Sequence, residues 1–152
     1  MGIFSKTCEY AVRAVFFIAQ RTADGSRVGI KEIAVNIDSP EHFLAKILQD
    51  LSRRGIIQSV KGPNGGFYLD AQSLARPLSD VIEAVDGGGI FRDCGLGLKE
   101  CSSKNPCPLH HDFLDVRNRL QNMLESITIS QFNEDLNLGI VVLKNKSPAR
   151  KT

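Results

Sequence analysis

Tryptophan is absent, methionine and tyrosine occur only twice each, and acidic and basic residues nearly cancel to a net charge of +2. So small a charge does not by itself mark a nucleic-acid binder. No stretch approaches the roughly 18 consecutive apolar residues a membrane-spanning helix needs. The opening residues, Met1 to Lys6, run straight into helical patterning and lack the apolar core and cleavage site of a signal peptide, so a cytoplasmic protein is expected. A phosphate loop ending in Gly-Lys-Ser/Thr, a His-Glu-x-x-His pair and a Gly-x-Ser-x-Gly elbow are all missing, and no enzyme is expected. Hydrophobic residues at 42% and charged residues at 24% are those of a soluble globular chain.

Cysteine is scarce but unevenly placed. Cys8 stands alone, while Cys94, Cys101 and Cys107 fall within fourteen residues in the pattern Cys-x6-Cys-x5-Cys. A reducing compartment argues against a disulfide framework. Structural zinc sites use cysteine pairs about two to four residues apart, and this chain has none. Asp93, Lys99, Glu100, Ser102, Ser103, Lys104 and Asn105 surround the triplet, a poor setting for buried structural thiols. Wide spacing lets a loop wrap a bulkier inorganic core, and thiolates are the usual ligands of iron–sulfur clusters. A cluster is the leading reading, with zinc and a thiol or disulfide switch as alternatives. Cys107, just before Pro108 and the start of a helix, should have its thiol pKa lowered by the helix's positive end. His110 and His111, three and four residues on, could reach back toward it.

Apolar residues recur at helical spacing from Ser5 to about Thr22 (Cys8, Ala11, Val12, Val15, Ile18, Ala19) and again over Ile30–Ile37. Ser39 is placed to cap a third helix that begins at Pro40, carries Phe43, Leu44, Ile47, Leu48 and Leu51, and ends at Arg54 with Gly55 in a left-handed conformation. Three helices in this order predict a helix-turn-helix. The β-prone flanks Ile56–Val60 and Phe67–Leu69 enclose Lys61-Gly62-Pro63-Asn64-Gly65-Gly66, where Asn64-Gly65 suits the positive φ angles of a tight hairpin. Directly after a helix-turn-helix, such a hairpin reads as a DNA-contacting wing.

Ser79 should cap a helix over Asp80–Asp86, ended by Gly87-Gly88-Gly89. About 20 residues without helical period follow and hold the cysteines; a loop that long implies a function. Leu109, Phe113, Val116, Leu120, Met123 and Ile127 then repeat at spacings 4, 3, 4, 3, 4, a heptad seam roughly 29 Å long that suits a homodimer. A last short helix is expected over Ser130–Leu136. Lys144, Lys146, Arg150 and Lys151 close the chain with no acid among them, so the remainder is near −2 (+2 less these four charges). A tail of this kind is expected to be a solvated end.

The segments Ser5-Lys6-Thr7-Cys8-Glu9-Tyr10-Ala11-Val12-Arg13-Ala14, Phe43 to Leu51 with Arg53-Arg54-Gly55, Val60 to Phe67, and Cys107-Pro108-Leu109-His110 together resemble the Rrf2 family of bacterial winged-helix transcriptional regulators. This family groups iron–sulfur assembly regulators, nitric oxide sensors and cysteine-metabolism regulators. The resemblance spans Phe4 to about Leu136. It implies a homodimeric repressor or activator whose DNA affinity follows the state of an iron–sulfur cluster held by Cys94, Cys101 and Cys107. His110 matches the histidine ligand of the 2Fe–2S assembly regulators, and Glu9 falls where the nitric oxide sensors place an acidic ligand. The fourth ligand is therefore read as His110 with Glu9 as alternative, and 2Fe–2S is favoured over 4Fe–4S. The first cysteine interval is six residues against five in the assembly regulators. Cys8 is expected to be a core thiol.

The expected fold is mainly α with a small β-hairpin wing: a winged helix-turn-helix over residues 1–76, a cluster-binding loop and long dimerisation helix over 77–136, and a basic C-terminal tail over 137–152. The third helix should enter the major groove of double-stranded operator DNA with Ser39, Glu41, His42 and Lys46 nearest the bases and Arg53 and Arg54 alongside; Ala45 offers no polar group. Lys61, Asn64 and glycine N–H groups, Gly65 included, should meet phosphates or the minor groove. The rival reading is an iron–sulfur or zinc redox protein without sequence-specific DNA binding, which would have no use for a glycine-rich wing.

Overall fold

The computed structural model describes residues 2–146; Arg150 and Lys151 of the basic tail lie outside the described residues. Helix α1 (Lys6–Arg21) starts where the Ser5 hydroxyl accepts a 3.1 Å bond from the Cys8 N–H, and stops where the Thr22 hydroxyl donates to the Ile18 carbonyl at 2.6 Å. Cys8, Ala11, Ala14, Val15, Ile18 and Ala19 are all fully buried on one face. Three alanines on that face let α2 (Ile30–Ile37), α3 (Glu41–Arg53) and a later helix pack closely around α1, which is the centre of the molecule. Asp38, in a left-handed conformation at φ 56°, makes the turn between α2 and α3.

Helix α3 starts one residue later than expected. Pro40 is extended at ψ 130° and acts as the N-cap, and the Ser39 hydroxyl donates to the Pro40 carbonyl at 3.3 Å instead of accepting from the first turn. The other end forms as expected. Gly55 at φ 74° donates to the Ser52 carbonyl and Ile56 donates to Leu51, each at 3.0 Å, the paired bonds of a Schellman cap. Leu44, Leu48 and Leu51 are fully buried beneath α1. Each such side chain contributes about 1.5–3 kcal/mol by leaving water.

Strands β1 (Gln58–Val60) and β2 (Gly66–Tyr68) pair antiparallel with Ser59 opposite Phe67. The turn differs from the expectation. Positive φ falls on Gly62 (105°) and Gly66 (145°), not on Asn64-Gly65, and the Gly65 N–H closes a turn onto the Gly62 carbonyl at 2.9 Å. Gly65 is required for a different reason: a Cβ there would fall 2.9 Å from the Gly62 carbonyl oxygen and closer still to that of Val60. Val28 exchanges two backbone bonds with Phe67, at 3.0 and 2.8 Å, and ties the wing to the segment before α2.

Two short helices were not anticipated. In α4 (Ala71–Leu74), Asp70 caps by accepting the Ser73 N–H at 2.8 Å. Helix α6 (Gly89–Arg92) occupies the start of the supposed structureless loop and buries Phe91. Between them, α5 (Leu78–Asp86) is capped by Pro77, so Ser79 lies inside the helix and is buried. The Leu78 N–H donates instead to the Ile127 carbonyl at 2.7 Å, and the Ile129 N–H to Arg76 at 3.0 Å.

Helix α7 (His110–Ser126) splits the expected seam. Leu120 and Ile127 pack against the core beside the buried Leu124, while Leu109, Val116 and Met123 remain 40%, 58% and 49% exposed. Helix α8 (Asn133–Asn137) is shorter than expected and rests on α1. The following chain returns over α1 and α2, where the Lys144 ammonium donates to the Val35 carbonyl at 3.2 Å and Arg13 to the Leu143 carbonyl at 3.5 Å, so this part of the tail is tethered while most of its residues stay exposed.

Candidate metal centre and nucleic-acid interface

The segment between α6 and α7 is shaped by small backbone turns. Gly97 donates to the Cys94 carbonyl at 2.9 Å, and Ser102 and Asn105 exchange backbone bonds at 3.2 and 3.1 Å. These turns bring the sulfurs of Cys94, Cys101 and Cys107 within 4.8 Å of one another, with Cys94 and Cys107 3.7 Å apart. Backbone N–H groups point at two of them: Leu96 to Cys94 at 3.4 Å and Cys107 to Cys101 at 3.3 Å. N–H groups from Leu98 and Leu96 stabilise the thiolate of Cys94 and lower its pKa to about 7.

Cys107 departs from the expectation. Leu109, not Cys107, is the N-cap of α7, and burial pushes the Cys107 thiol up. Desolvation outweighs the backbone bond from Leu109, which acts the other way. His110 does not reach back to Cys107 either; its Nδ1 lies 3.3 Å from the Cys101 sulfur. His111 is exposed and stands edge-on to His110 with ring centroids 5.0 Å apart. Glu9 is not brought to the sulfurs within the chain. It sits on α1 with the Lys6 ammonium 3.4 Å from its carboxylate. Cys8 is a core thiol, raised to about 12 by burial and by the nearby Asp86 carboxylate.

Sequence reasoning missed two supports of this centre. The Arg117 guanidinium donates to the Asp93 carbonyl at 3.0 Å, next to Cys94. Phe113 lies so close over Gly95 that a Cβ there would be 2.6 Å from its ring. Their signal was available, since Phe113 and Arg117 follow His110 at helical spacing along α7.

On α3, Glu41, His42, Lys46 and Arg53 form an exposed stripe, with Ser39 half-buried at its head. Arg53 and Arg54 both approach Asp50, at 3.7 and 3.1 Å. Lys61 and Asn64 are exposed on the wing, and between α3 and the wing runs a groove of about 580 Å³. Gln49 and Ser52 line this groove and were not anticipated; they lie one and two turns beyond Ala45. Arg27 was also missed. It donates to the Asn64 carbonyl at 3.3 Å and stacks over Tyr68 at 5.7 Å, bracing the wing.

A helix-turn-helix carrying a hairpin wing at the end of its last helix defines a winged-helix transcription regulator. Residues 4–135 match the Rrf2 family, described as iron-dependent transcriptional regulators, and the chain belongs to that family. A protein of Aquifex aeolicus classed among HTH-type transcriptional regulators is 35% identical over 129 residues, covering 84% of this chain and 88% of the relative. The HTH-type transcriptional regulator IscR of Yersinia pestis is 27% identical over 143 residues, covering 94% and 86%. Among solved structures, CymR, the global cysteine regulator of B. subtilis, superposes with a TM-score of 0.73 at 20% identity, covering 89% of this chain and 98% of that one. IscR of T. potens gives 0.67 at 22% identity over 91% and 90%. These relatives are transcription regulators rather than enzymes, and no helix among the described residues is long and apolar enough to cross a membrane.

Proposed function

We propose that this chain is a regulator whose affinity for operator DNA is set by an iron–sulfur cluster held at Cys94, Cys101, Cys107 and His110. The observation that carries the reading is the convergence of three sulfurs within 4.8 Å, one of them 3.3 Å from the His110 ring. The donor set suits the cofactor: soft thiolates with one imidazole, N–H groups aimed at sulfur, and a thiol already lowered to about 7. When bound, the cluster would supply a redox- and iron-sensitive group at the start of α7. The chain's own residues do the rest. Arg117 and Phe113 hold the loop against α7, and the two backbone turns keep the sulfurs converged before any metal arrives.

DNA is engaged through residues 1–76. The α3 stripe of Glu41, His42 and Lys46 enters the major groove behind Ser39, Arg53 and Arg54 flank it, and Lys61 and Asn64 meet the backbone. Gly65 serves the shape of the wing, because its N–H is bonded to Gly62. Residues 77–136 hold the cluster and pair two copies along the exposed edge of Leu109, Val116 and Met123; residues 137–152 follow as a tail. Anaerobic purification with absorption and Mössbauer spectroscopy tests the reading, and a protein that binds operator yet never carries iron and sulfide refutes it. His110→Ala should shift the spectrum and reduction potential of a 2Fe–2S centre while Glu9→Ala leaves both unchanged. The reverse result would assign the fourth position to Glu9 and favour a 4Fe–4S centre.

A further inference from the structure

We propose that Gln49 is a specificity-determining residue that reads an adenine on the major-groove edge of each half-site; this rests on the DNA-binding reading above. Glu41, His42, Ala45, Lys46, Gln49 and Arg53 fall on one exposed strip of α3. From Glu41 to Gln49 the helix rises about 12 Å, close to the width of the major groove, so the strip can lie in the groove along that whole length.

The chemistry along the strip is not uniform. Lys46 and Arg53, on either side of Gln49, carry donors only. Asp50 is engaged by Arg53 and Arg54, and the Ser52 hydroxyl is bonded to that of Ser59 at 2.9 Å. Gln49 lines the groove between α3 and the wing, and its amide has no partner among the described residues. It offers a donor and an acceptor in one plane, the complement of adenine N6 and N7. One turn earlier, Ala45 is exposed and adds only a methyl group, which lets the helix seat deeply and offers apolar contact to a thymine methyl. The pair Ala45 and Gln49 therefore favours an A·T pair at the point in the groove that they share.

The test uses the full chain and a pool of random duplexes, followed by affinity measurement on single-base variants of the selected sequence. Wild type should select adenine at one fixed position per half-site. Gln49→Ala should lose that preference by about 5- to 150-fold while preferences elsewhere and the salt slope persist. Gln49→Glu should move the preference at that position from adenine toward cytosine, whose N4 donates to a carboxylate, a change that a merely structural role would not produce. Selection unchanged in both variants overturns the proposal, as does a uniform loss on all sequences at an unchanged salt slope, which would make Gln49 a neutral backbone contact. If wild type itself selects no sequence, the DNA-binding reading fails instead, and the two failures are distinguishable.

Discussion

Replacing Gly65 by alanine separates two reasons for needing glycine. Gly65 does not have a positive φ, so the usual left-handed penalty does not apply. The new Cβ would instead press on backbone, with the Gly62 carbonyl oxygen at 2.9 Å and that of Val60 nearer still, and neither is the flexible end of a side chain. Forcing a methyl group into a filled site costs about 1–3 kcal/mol. At roughly 2–4 °C per kcal/mol for a domain of this size, melting should fall by about 2–12 °C if the hairpin holds its shape. If the hairpin yields, Lys61 and Asn64 are displaced and DNA affinity falls instead. Calorimetry and fluorescence anisotropy on a duplex, run on the same protein, capture both outcomes. Gly139→Ala is the control: at φ 70° with nothing within 4 Å, it carries only the left-handed cost of about 1–2 kcal/mol and should leave DNA binding alone. A Gly65→Ala protein that matches wild type in both melting and binding would refute the reasoning.

Lys61→Ala should weaken binding to operator and random DNA alike and reduce the salt slope by about one, and an unchanged slope in a salt titration would rule out a phosphate contact. Val116→Lys places a charge on a side chain 58% exposed in the single chain, so melting should barely move while sedimentation shows monomers; an intact dimer would show that this edge of α7 is not the interface. Cys8 should resist alkylation in the native protein and react only after denaturation. Its folded pKa of about 12 lies above the ordinary 9.0, so its contribution to stability is complete below pH 9 and is lost as pH rises toward 12. Rapid native labelling of Cys8 near pH 8 would contradict this.

The helices around α1 were legible because each carries a one-sided apolar period, and the Gly55 stop was legible because only one residue there tolerates a left-handed turn. The wing was legible as a hairpin, but its turn was assigned to Asn64-Gly65 when Gly62 and Gly66 bear the positive φ. Dipeptide preference cannot see the Val28–Phe67 exchange that fixes the register. Pro40 and Pro77 cap where Ser39, one residue before, and Ser79, two residues after, are expected to. Asp70 with Ser73 three residues on was a readable cap for α4, whereas α6 depends on burying Phe91 against α7, which no local pattern announces. The seam of α7 was read as one face. At about 100° per residue the rows i and i+4 of such a seam lie about 40° apart, so Leu120 turns toward the core beside Leu124 while Val116 and Met123 turn out. The three cysteines and His110 were legible as residue types in a row, but the contact of His110 with Cys101 is made by the Ser102–Asn105 turn.

Helix α7 is tethered unequally at its two ends. Beyond its last turn, Ile127 and Ile129 are stitched by backbone bonds to Leu78 and Arg76, at the margin of the winged domain. Its other end, some 25 Å away at 17 residues, leans on the cysteine segment through His110, Phe113 and Arg117 in the first two turns or so. A rod pinned at one end has a single easy motion, a swing about the pin. Loosening the cysteine end would therefore tilt the whole rod, and a second copy gripping Val116 and Met123 would be carried with it. The spacing between the two recognition helices, which must match the pitch of the duplex, would change without either helix altering its own shape.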